Sequence, residues 1–149
     1  MAIETLGERP PVQILATDID TDIIEYGRRA VYPDGDVDSI SDERRSRFFL
    51  RGKGAHSGQV RVKPAVTALV RYGRVNLISD DWPALGLFDV IFCRNVMIYF
   101  DKPTCRSLAE RFHRHLNSKG WLFIGHSESL GDSRRLFELQ GRMAYRRVD

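Results

Sequence analysis

The chain has 149 residues, 42% of them hydrophobic and 29% charged, which is the composition of one folded globular domain. It carries 23 lysines and arginines against 20 aspartates and glutamates, and the net charge of +3 is too small to indicate nucleic acid as a partner by itself. The apolar runs are far shorter than the ~20 residues of a membrane span, and residues 1–10 do not have the pattern of a signal peptide, so neither membrane insertion nor export is predicted.

Two cysteines, Cys93 and Cys105, stand 12 positions apart without a CxxC pair. This spacing encodes neither a disulfide framework nor a zinc site, so the sequence predicts free thiols and no metal. Free thiols without an export signal favour a cytoplasmic location.

The first part of the chain predicts a strand followed by two helices. The apolar run over 12–17 follows two prolines and precedes a polar cluster, which is typical of a buried strand. Asp20 and Thr21 supply the N-cap of a helix over about 22–31, and a second helix is expected from Ser41 onward.

A glycine-rich loop comes next. Gly52, Gly54 and Gly58 lie in this loop, and residues 59–63 after it alternate polar and apolar side chains like a half-exposed strand. The region from about 51 to 72 is therefore predicted to be a small antiparallel β insertion.

The last part alternates apolar strands with one amphipathic helix. Residues 74–78 are a strand candidate, and 87–93 are the clearest buried strand. A helix is expected over 103–116, stopped by Gly120, with another buried strand over 120–125. This alternation indicates an α/β domain with a mainly parallel sheet, in which ligands bind beyond the carboxyl ends of the strands.

Polar residues follow the predicted strands at that edge. Asp18 comes directly after the first strand and suits the hydroxyls of an adenosine ribose, unless it only caps the next helix. Asn76 places an amide in an apolar strand, where it must pair with backbone or face a ligand. Arg94 either orients a ligand or pairs with a nearby acid, Asp89 or Asp101.

Five stretches, taken in order, resemble a known family: ILATDIDTDIIEYGRRAVY, RFFLRGKGAHSGQVRVK, VNL, FDVIFCRNVMIYFDK and GWLFIGHSESL. Together they closely resemble the CheR-type chemotaxis receptor methyltransferases, which transfer a methyl group from S-adenosylmethionine to glutamate side chains of bacterial chemoreceptors. The fourth stretch is the most specific, because it is long and unlike most other methyltransferases. The resemblance runs from about Val12 to the end and implies a partial Rossmann-like class I methyltransferase sheet.

The resemblance also implies roles for individual residues. Arg94 and Tyr99 would lie near the methyl transfer site, with Arg94 facing the incoming carboxylate. Cys93 would contact the cofactor mainly through its backbone. The residues that would bind the cofactor are Asp18, Asn76, Leu77, Cys93 and Arg94.

A peptide-docking role is implied for the insertion. The pattern Gly52, Gly54 and Gly58 followed by VRV resembles the subdomain with which family members bind a receptor's C-terminal peptide as an added strand. The alternative function is therefore a non-catalytic module that binds the receptor peptide and has a vestigial cofactor cleft. A nucleic-acid methyltransferase is disfavoured, because the charge excess is small and an Asn/Asp-Pro-Pro-Tyr/Phe motif is absent.

One departure from the family pattern concerns the start of the chain. Family members begin with a helical domain, then a first strand and a Gly-rich loop for the methionine part of the cofactor, and none of these precedes Val12. The interpretation is a truncated catalytic domain over 1–149. The missing strand is central in such a sheet, so its neighbours either pair directly or lose a partner, which would leave the piece unstable or inactive.

The expected chemistry needs no general base. The substrate glutamate, with a pKa of about 4.3, is already ionised at neutral pH. His126 follows the 120–125 strand and is either an acid–base candidate or a residue that fixes the loop.

Overall fold

The computed structural model describes residues 2–7, 10–126, 128–130, 133 and 135–149. The chain divides into two units, 1–76 and 77–149, and each unit has its own strand pairs. Helices alternate with most strands of the first unit, and the helix Lys102–His115 lies between two strands of the second, which confirms the predicted α/β class. The sheets are not mainly parallel as predicted: among the described strands two pairs are parallel and four are antiparallel.

The first unit contains a two-stranded parallel sheet and a three-stranded antiparallel sheet. In the parallel sheet β1 pairs with β5, and in the antiparallel sheet β4 lies between β2 and β3. Its elements are α1 (Ala2–Leu6), β1 (Ile14–Asp18), α2 (Thr21–Arg29), β2 (Val31–Pro33), α3 (Asp42–Phe48), β3 (Phe49–Arg51), β4 (Gln59–Val62), α4 (Pro64–Thr67) and β5 (Val70–Arg74).

The antiparallel sheet has different bounds from those that the glycine pattern suggested. It already begins at β2 and ends with β4, whereas β5 pairs with β1 and takes no part in an insertion over 51–72. The strand predicted at 74–78 is wrong in position, because β5 ends at Arg74, opposite Asp18. Pairing with a partner more than fifty positions away sets these bounds, and the local pattern does not contain that partner.

The second unit is a four-stranded sheet in the order β6-β7-β9-β8. Strands β6 and β7 run parallel with Cys93 opposite Ile124, and β9 is antiparallel to both of its neighbours. Its elements are β6 (Phe88–Cys93), α5 (Lys102–His115), β7 (Leu116–Ile124), β8 (Phe137–Leu139) and β9 (Ala144–Arg147). The most deeply buried large side chains among the described residues lie here: Leu108, Leu116, Leu122, Ile124 and Phe137.

The apolar strand β6 is buried on one face only. Cys93 belongs to the core that includes Leu108 of α5, and Ile91 packs against that core. Alternate residues point the other way, and Val90 and Phe92 are 42% and 71% exposed. The prediction of a buried strand is therefore correct for one face only, because apolar composition does not show how many faces are covered.

The boundary between α5 and β7 also differs from the expectation. Gly120 does not stop the helix but lies inside β7, which begins at Leu116. The backbone of Leu116 is extended rather than helical. Its side chain is fully buried and it pairs with Phe88 of β6, and these two interactions favour the strand.

Among the described residues β1 pairs with β5 and β6 pairs with β7, each pair in its own sheet. No helix within the described ranges is both long and apolar enough to cross a membrane.

Candidate functional site

The carboxyl ends of β1 and β5 bring two predicted site residues to one edge of the first unit. The backbone N–H of Val75 donates to the carbonyl of Asp18 at 3.0 Å, so the chain runs on beside the end of β1. Asn76 follows directly, and both Asp18 and Asn76 are half-buried. Leu77, the next residue, packs against the core of the second unit, to which it belongs.

The two acids after β1 have different tasks. Asp20 is the N-cap of α2, and its Oδ1 accepts from the backbone N–H of Asp22 at 2.8 Å, as the sequence predicts. Asp18 does not cap the helix; its Oδ1 accepts from the backbone N–H of Asp20 at 2.9 Å and fixes the turn. Among the described residues nothing donates to Oδ2 of Asp18, so this half-buried carboxylate retains an acceptor for a ligand hydroxyl.

The carboxyl end of β6 presents the backbone of Cys93 rather than its thiol. The side chain of Cys93 is buried in the core of the second unit. Burial, together with the nearby charges of Glu128 and Cys105, raises the pKa of the Cys93 thiol to about 12. The thiol is therefore neutral at physiological pH and unsuited to bind a charged ligand group.

Arg94 follows β6 with its side chain exposed. The two acids considered as its partners are engaged elsewhere: Asp89 accepts from the side-chain amide of Asn117 at 2.7 Å, and Asp101 accepts from the backbone N–H of Thr104 at 2.9 Å as the N-cap of α5. Within the described ranges no carboxylate pairs with Arg94. Its guanidinium group is thus available for an anionic ligand.

Tyr99 ends a short 3-10 turn over Met97–Tyr99 and is 79% exposed, so it does not belong to the core. The turn is closed by the backbone N–H of Tyr99, which donates to the carbonyl of Val96 at 3.2 Å. Arg94 and Tyr99 are therefore exposed residues on one connection between β6 and α5.

Sequence reasoning missed the group that holds this connection. The carboxylate of Glu128 accepts hydrogen bonds from four backbone N–H groups, and we call this arrangement the Glu128 clamp. Its Oε1 accepts from Val96 at 2.9 Å and Met97 at 2.7 Å, and its Oε2 accepts from Asn95 at 3.1 Å and from Gly125. One signal could have identified Glu128 from the sequence. A carboxylate that follows one strand end can accept from the unpaired N–H groups of the connection after the neighbouring strand.

His126 had been considered as the residue that fixes this loop. Its side chain is exposed, and the loop is fixed by Glu128, two positions further along. Burial raises the pKa of Glu128, but the hydrogen bonds from Gly125, Met97, Asn95 and Val96 outweigh burial, so its pKa lies below the ordinary glutamate value.

The three glycines of the predicted peptide-binding pattern lie in the turn between β3 and β4. A Cβ on Gly52 would come within 1.9 Å of the carbonyl oxygen of His56, so only glycine fits there. Gly54 and Gly58 have left-handed φ angles of 59° and 81°. The geometry of the turn accounts for all three glycines, and β2 and β3 are the edge strands to which a peptide could pair.

Two features define the class of protein. Each unit contains a parallel strand pair, and polar side chains follow the carboxyl ends of these strands, as in the cofactor-binding α/β folds. Over residues 1–145 the chain matches the family model described as CheR methyltransferase, SAM binding domain, and it therefore belongs to the CheR methyltransferase family. The predicted family and its Rossmann-like methyltransferase fold are thereby confirmed.

Several curated relatives are similar along nearly the whole chain. The chemotaxis protein methyltransferase 2 of Pseudomonas aeruginosa is 42% identical over 144 residues, which are 96% of this chain and 51% of the relative. The chemotaxis protein methyltransferases of Klebsiella aerogenes and Escherichia coli K12 are 43% and 38% identical, each over 95% of this chain and 49% and 50% of the relative. The chain thus spans about half the length of these relatives.

Proposed function

We propose that this chain provides part of an S-adenosylmethionine-dependent methyltransferase that methylates glutamate side chains of chemoreceptors. Family membership supports the cofactor, and the names of the relatives support a role in chemotaxis. The observation that carries the proposal is that each unit has a charged group available after a parallel strand. In the part of the chain that the structure describes, nothing donates to Oδ2 of Asp18 in the first unit, and no carboxylate pairs with Arg94 in the second.

The proposed cofactor suits the groups present. A ribose has two neighbouring hydroxyls that donate to a carboxylate, and Asp18 is held by its other oxygen so that Oδ2 remains open. Asn76 and Leu77 would contact the cofactor beside it, and the backbone of Cys93 would do so after β6, where the buried thiol is neutral. Metal ions have no part in this proposal.

The proposed reaction requires the protein to position the two reactants and does not require a general acid or base. S-adenosylmethionine supplies the electrophilic methyl group when it is bound. The substrate carboxylate, with a pKa of about 4.3, is the nucleophile and is already ionised. Arg94 would bind the cofactor after β6 and also orient that carboxylate. The exposed ring of Tyr99 would cover the reacting groups and exclude water.

The receptor is the proposed partner, through its cytoplasmic domain and through its C-terminal peptide. Edge strand β3 is a suitable place for the peptide, because Leu50 and Arg51 in it are exposed and a strand adds to an open edge by backbone hydrogen bonds. Gly52, Gly54 and Gly58 would then act by shaping the turn after β3. This partner agrees with the predicted cytoplasmic location.

Titration calorimetry of the full chain tests the proposal. S-adenosylhomocysteine, the product form of the cofactor, is expected to bind with a Kd of about 1 μM, which is about −8 kcal/mol. Adenosine monophosphate is the control, because it shares the adenosine but lacks the amino-acid part, and it is expected to bind much more weakly.

The second titrant is a peptide with the sequence of a chemoreceptor C-terminus. Binding of this peptide without binding of S-adenosylhomocysteine would support the alternative, a non-catalytic module with a vestigial cleft. Binding of neither would overturn both functions. Transfer of a labelled methyl group from S-adenosylmethionine to a receptor cytoplasmic domain then distinguishes a cofactor-binding fragment from an active enzyme.

A further inference from the structure

We infer that Glu128 is a positioning residue for the site: its carboxylate fixes the backbone after β6 so that Arg94 is presented to the cofactor. This inference rests on the proposed function of Arg94. Glu128 itself would touch neither cofactor nor substrate, since its two oxygens are occupied by backbone donors.

The backbone next to Arg94 needs an external anchor. Three successive N–H groups, those of Asn95, Val96 and Met97, point to one carboxylate at 2.7 to 3.1 Å. Successive N–H groups directed at one point form a concave anion site, and here an anion from the chain itself fills it. Asn95 has a left-handed φ of 61°, which asparagine tolerates better than most residues, and the carboxylate of Glu128 accepts from its N–H in that conformation.

The anchor also connects two strand ends. Oε2 of Glu128 accepts from the N–H of Gly125, directly after β7, as well as from Asn95, after β6. A Cβ on Gly125 would lie 2.5 Å from that oxygen and 2.9 Å from Oδ1 of Asn95, so glycine is needed for this approach. The parallel pairing of β6 with β7 sets Cys93 opposite Ile124 and thereby brings the two connections together.

The clamp requires a carboxylate rather than a neutral amide. Four donors meet two oxygens, each of which accepts two hydrogen bonds. A glutamine at position 128 would replace one oxygen with an NH₂ group, and the N–H donors of that group would then face the N–H donors of the backbone. An aspartate retains both acceptor oxygens on a shorter side chain. Glu128→Gln should therefore release the backbone beside Arg94, and Glu128→Asp should preserve part of the clamp.

A double-mutant cycle on the full chain tests the inference, with calorimetry of S-adenosylhomocysteine binding as the measurement. Glu128→Gln and Arg94→Ala are each expected to weaken binding about tenfold, or 1.4 kcal/mol. If Glu128 acts through Arg94, the double variant weakens binding by little more than tenfold in total. Independent effects would multiply to about a hundredfold.

Two further variants and one further measurement accompany the cycle. Glu128→Asp should recover part of the affinity that Glu128→Gln loses, and it serves as the tested variant if the glutamine protein does not fold. Glu110→Gln is the matched control: Glu110 forms an ion pair with the exposed Arg106 on α5, at 3.5 Å, and with no other described residue, so the change should leave binding unchanged. Amide hydrogen exchange in Glu128→Gln should accelerate at residues 95–97 and 125.

The outcomes separate the two proposals. If the unsubstituted chain binds S-adenosylhomocysteine while Glu128→Gln binds it equally well, or the cycle is additive, the positioning role is overturned and the proposed function stands. If the unsubstituted chain does not bind it, the proposed function fails and the positioning role falls with it.

Discussion

Asp18 and Asp20, the two acids at the end of β1, have different structural roles. Asp20 caps α2, so its removal would cost helix stability, whereas Asp18 fixes one turn and retains an open oxygen. A local pattern of two acids before a helix does not say which of them caps. The hydrogen bonds assign the cap to Asp20 and the turn to Asp18.

Asp18→Asn tests this assignment of tasks. The amide keeps the size of the side chain and the acceptor for Asp20, but it replaces the open oxygen with an NH₂ donor and removes the negative charge. We expect S-adenosylhomocysteine binding to weaken by about 1–3 kcal/mol, with little change in thermal stability. Asp20→Asn is the matched control, since asparagine caps helices as well as aspartate does. If both variants bind S-adenosylhomocysteine with equal affinity, Asp18 only fixes the turn and does not bind the cofactor.

Glu128 makes the stability of the second unit depend on pH. Its folded-state pKa lies below the ordinary value of about 4.3, because the four hydrogen bonds of the Glu128 clamp outweigh burial. A lowered pKa means that Glu128 stabilises the fold above about pH 4.3 and that this contribution disappears as the pH falls through the folded-state pKa. The difference in Tm between the unsubstituted chain and Glu128→Gln should therefore be largest near neutral pH and shrink as the pH falls below about 4.3. A difference that stays constant over this range would contradict the assignment.

At the scale of elements, the turn between β3 and β4 shows how one glycine permits a hairpin. The N–H of Gly52 donates to the carbonyl of Gln59 at 2.8 Å, and the carbonyl oxygen of His56 occupies the place where a Cβ would stand. A side chain at position 52 is thus excluded by backbone, which cannot rotate away as a flexible side chain can.

Gly52→Ala is expected to destabilise the first unit by at least about 1–3 kcal/mol, since the turn must open to admit the methyl group. Gly35→Ala is the matched control: Gly35 has no left-handed φ, and a Cβ there would meet nothing within 4 Å. Urea denaturation followed by circular dichroism measures both. Unchanged stability of Gly52→Ala would show that the turn has another conformation.

The elements also show where local patterns mislead. Strand β6 is as apolar as a strand buried on both faces, yet Phe92 on one of its faces is largely exposed. Leu116 follows a helical pattern and still begins β7, because it pairs with Phe88 and fills the core. Strand pairing and core packing decided both cases, and both depend on residues far away in the sequence.

At the scale of the whole molecule, the two units differ in their cores. Of the residues that the structure describes, those with the most completely buried large side chains lie in 77–149, around α5 and β7. The described apolar residues buried in residues 1–76 are fewer and mostly smaller: Ile3, Ile24, Ala30, Val37, Val60 and Val75. Since buried apolar area drives folding, the first unit should be the less stable of the two.

The positions of the two tryptophans allow a test of this difference. Trp82 and Trp121 both lie in the second unit, so tryptophan fluorescence reports on that unit, whereas circular dichroism reports on the whole chain. In urea, the loss of circular dichroism should begin at a lower concentration than the change in fluorescence. Coincident transitions would show that the two units unfold as one.

The sequence alone determined the family, the α/β class, the first cap at Asp20 and the approximate places of most strands and of the long helix. These depend on motifs, periodicity and capping, which neighbouring residues encode. Tertiary structure decided that β5 pairs with β1, that β6 is covered on one face, and that one carboxylate, Glu128, gathers backbone donors from two connections. Each of these joins residues far apart in the chain, and only the folded packing brings them within hydrogen-bond or van der Waals distance.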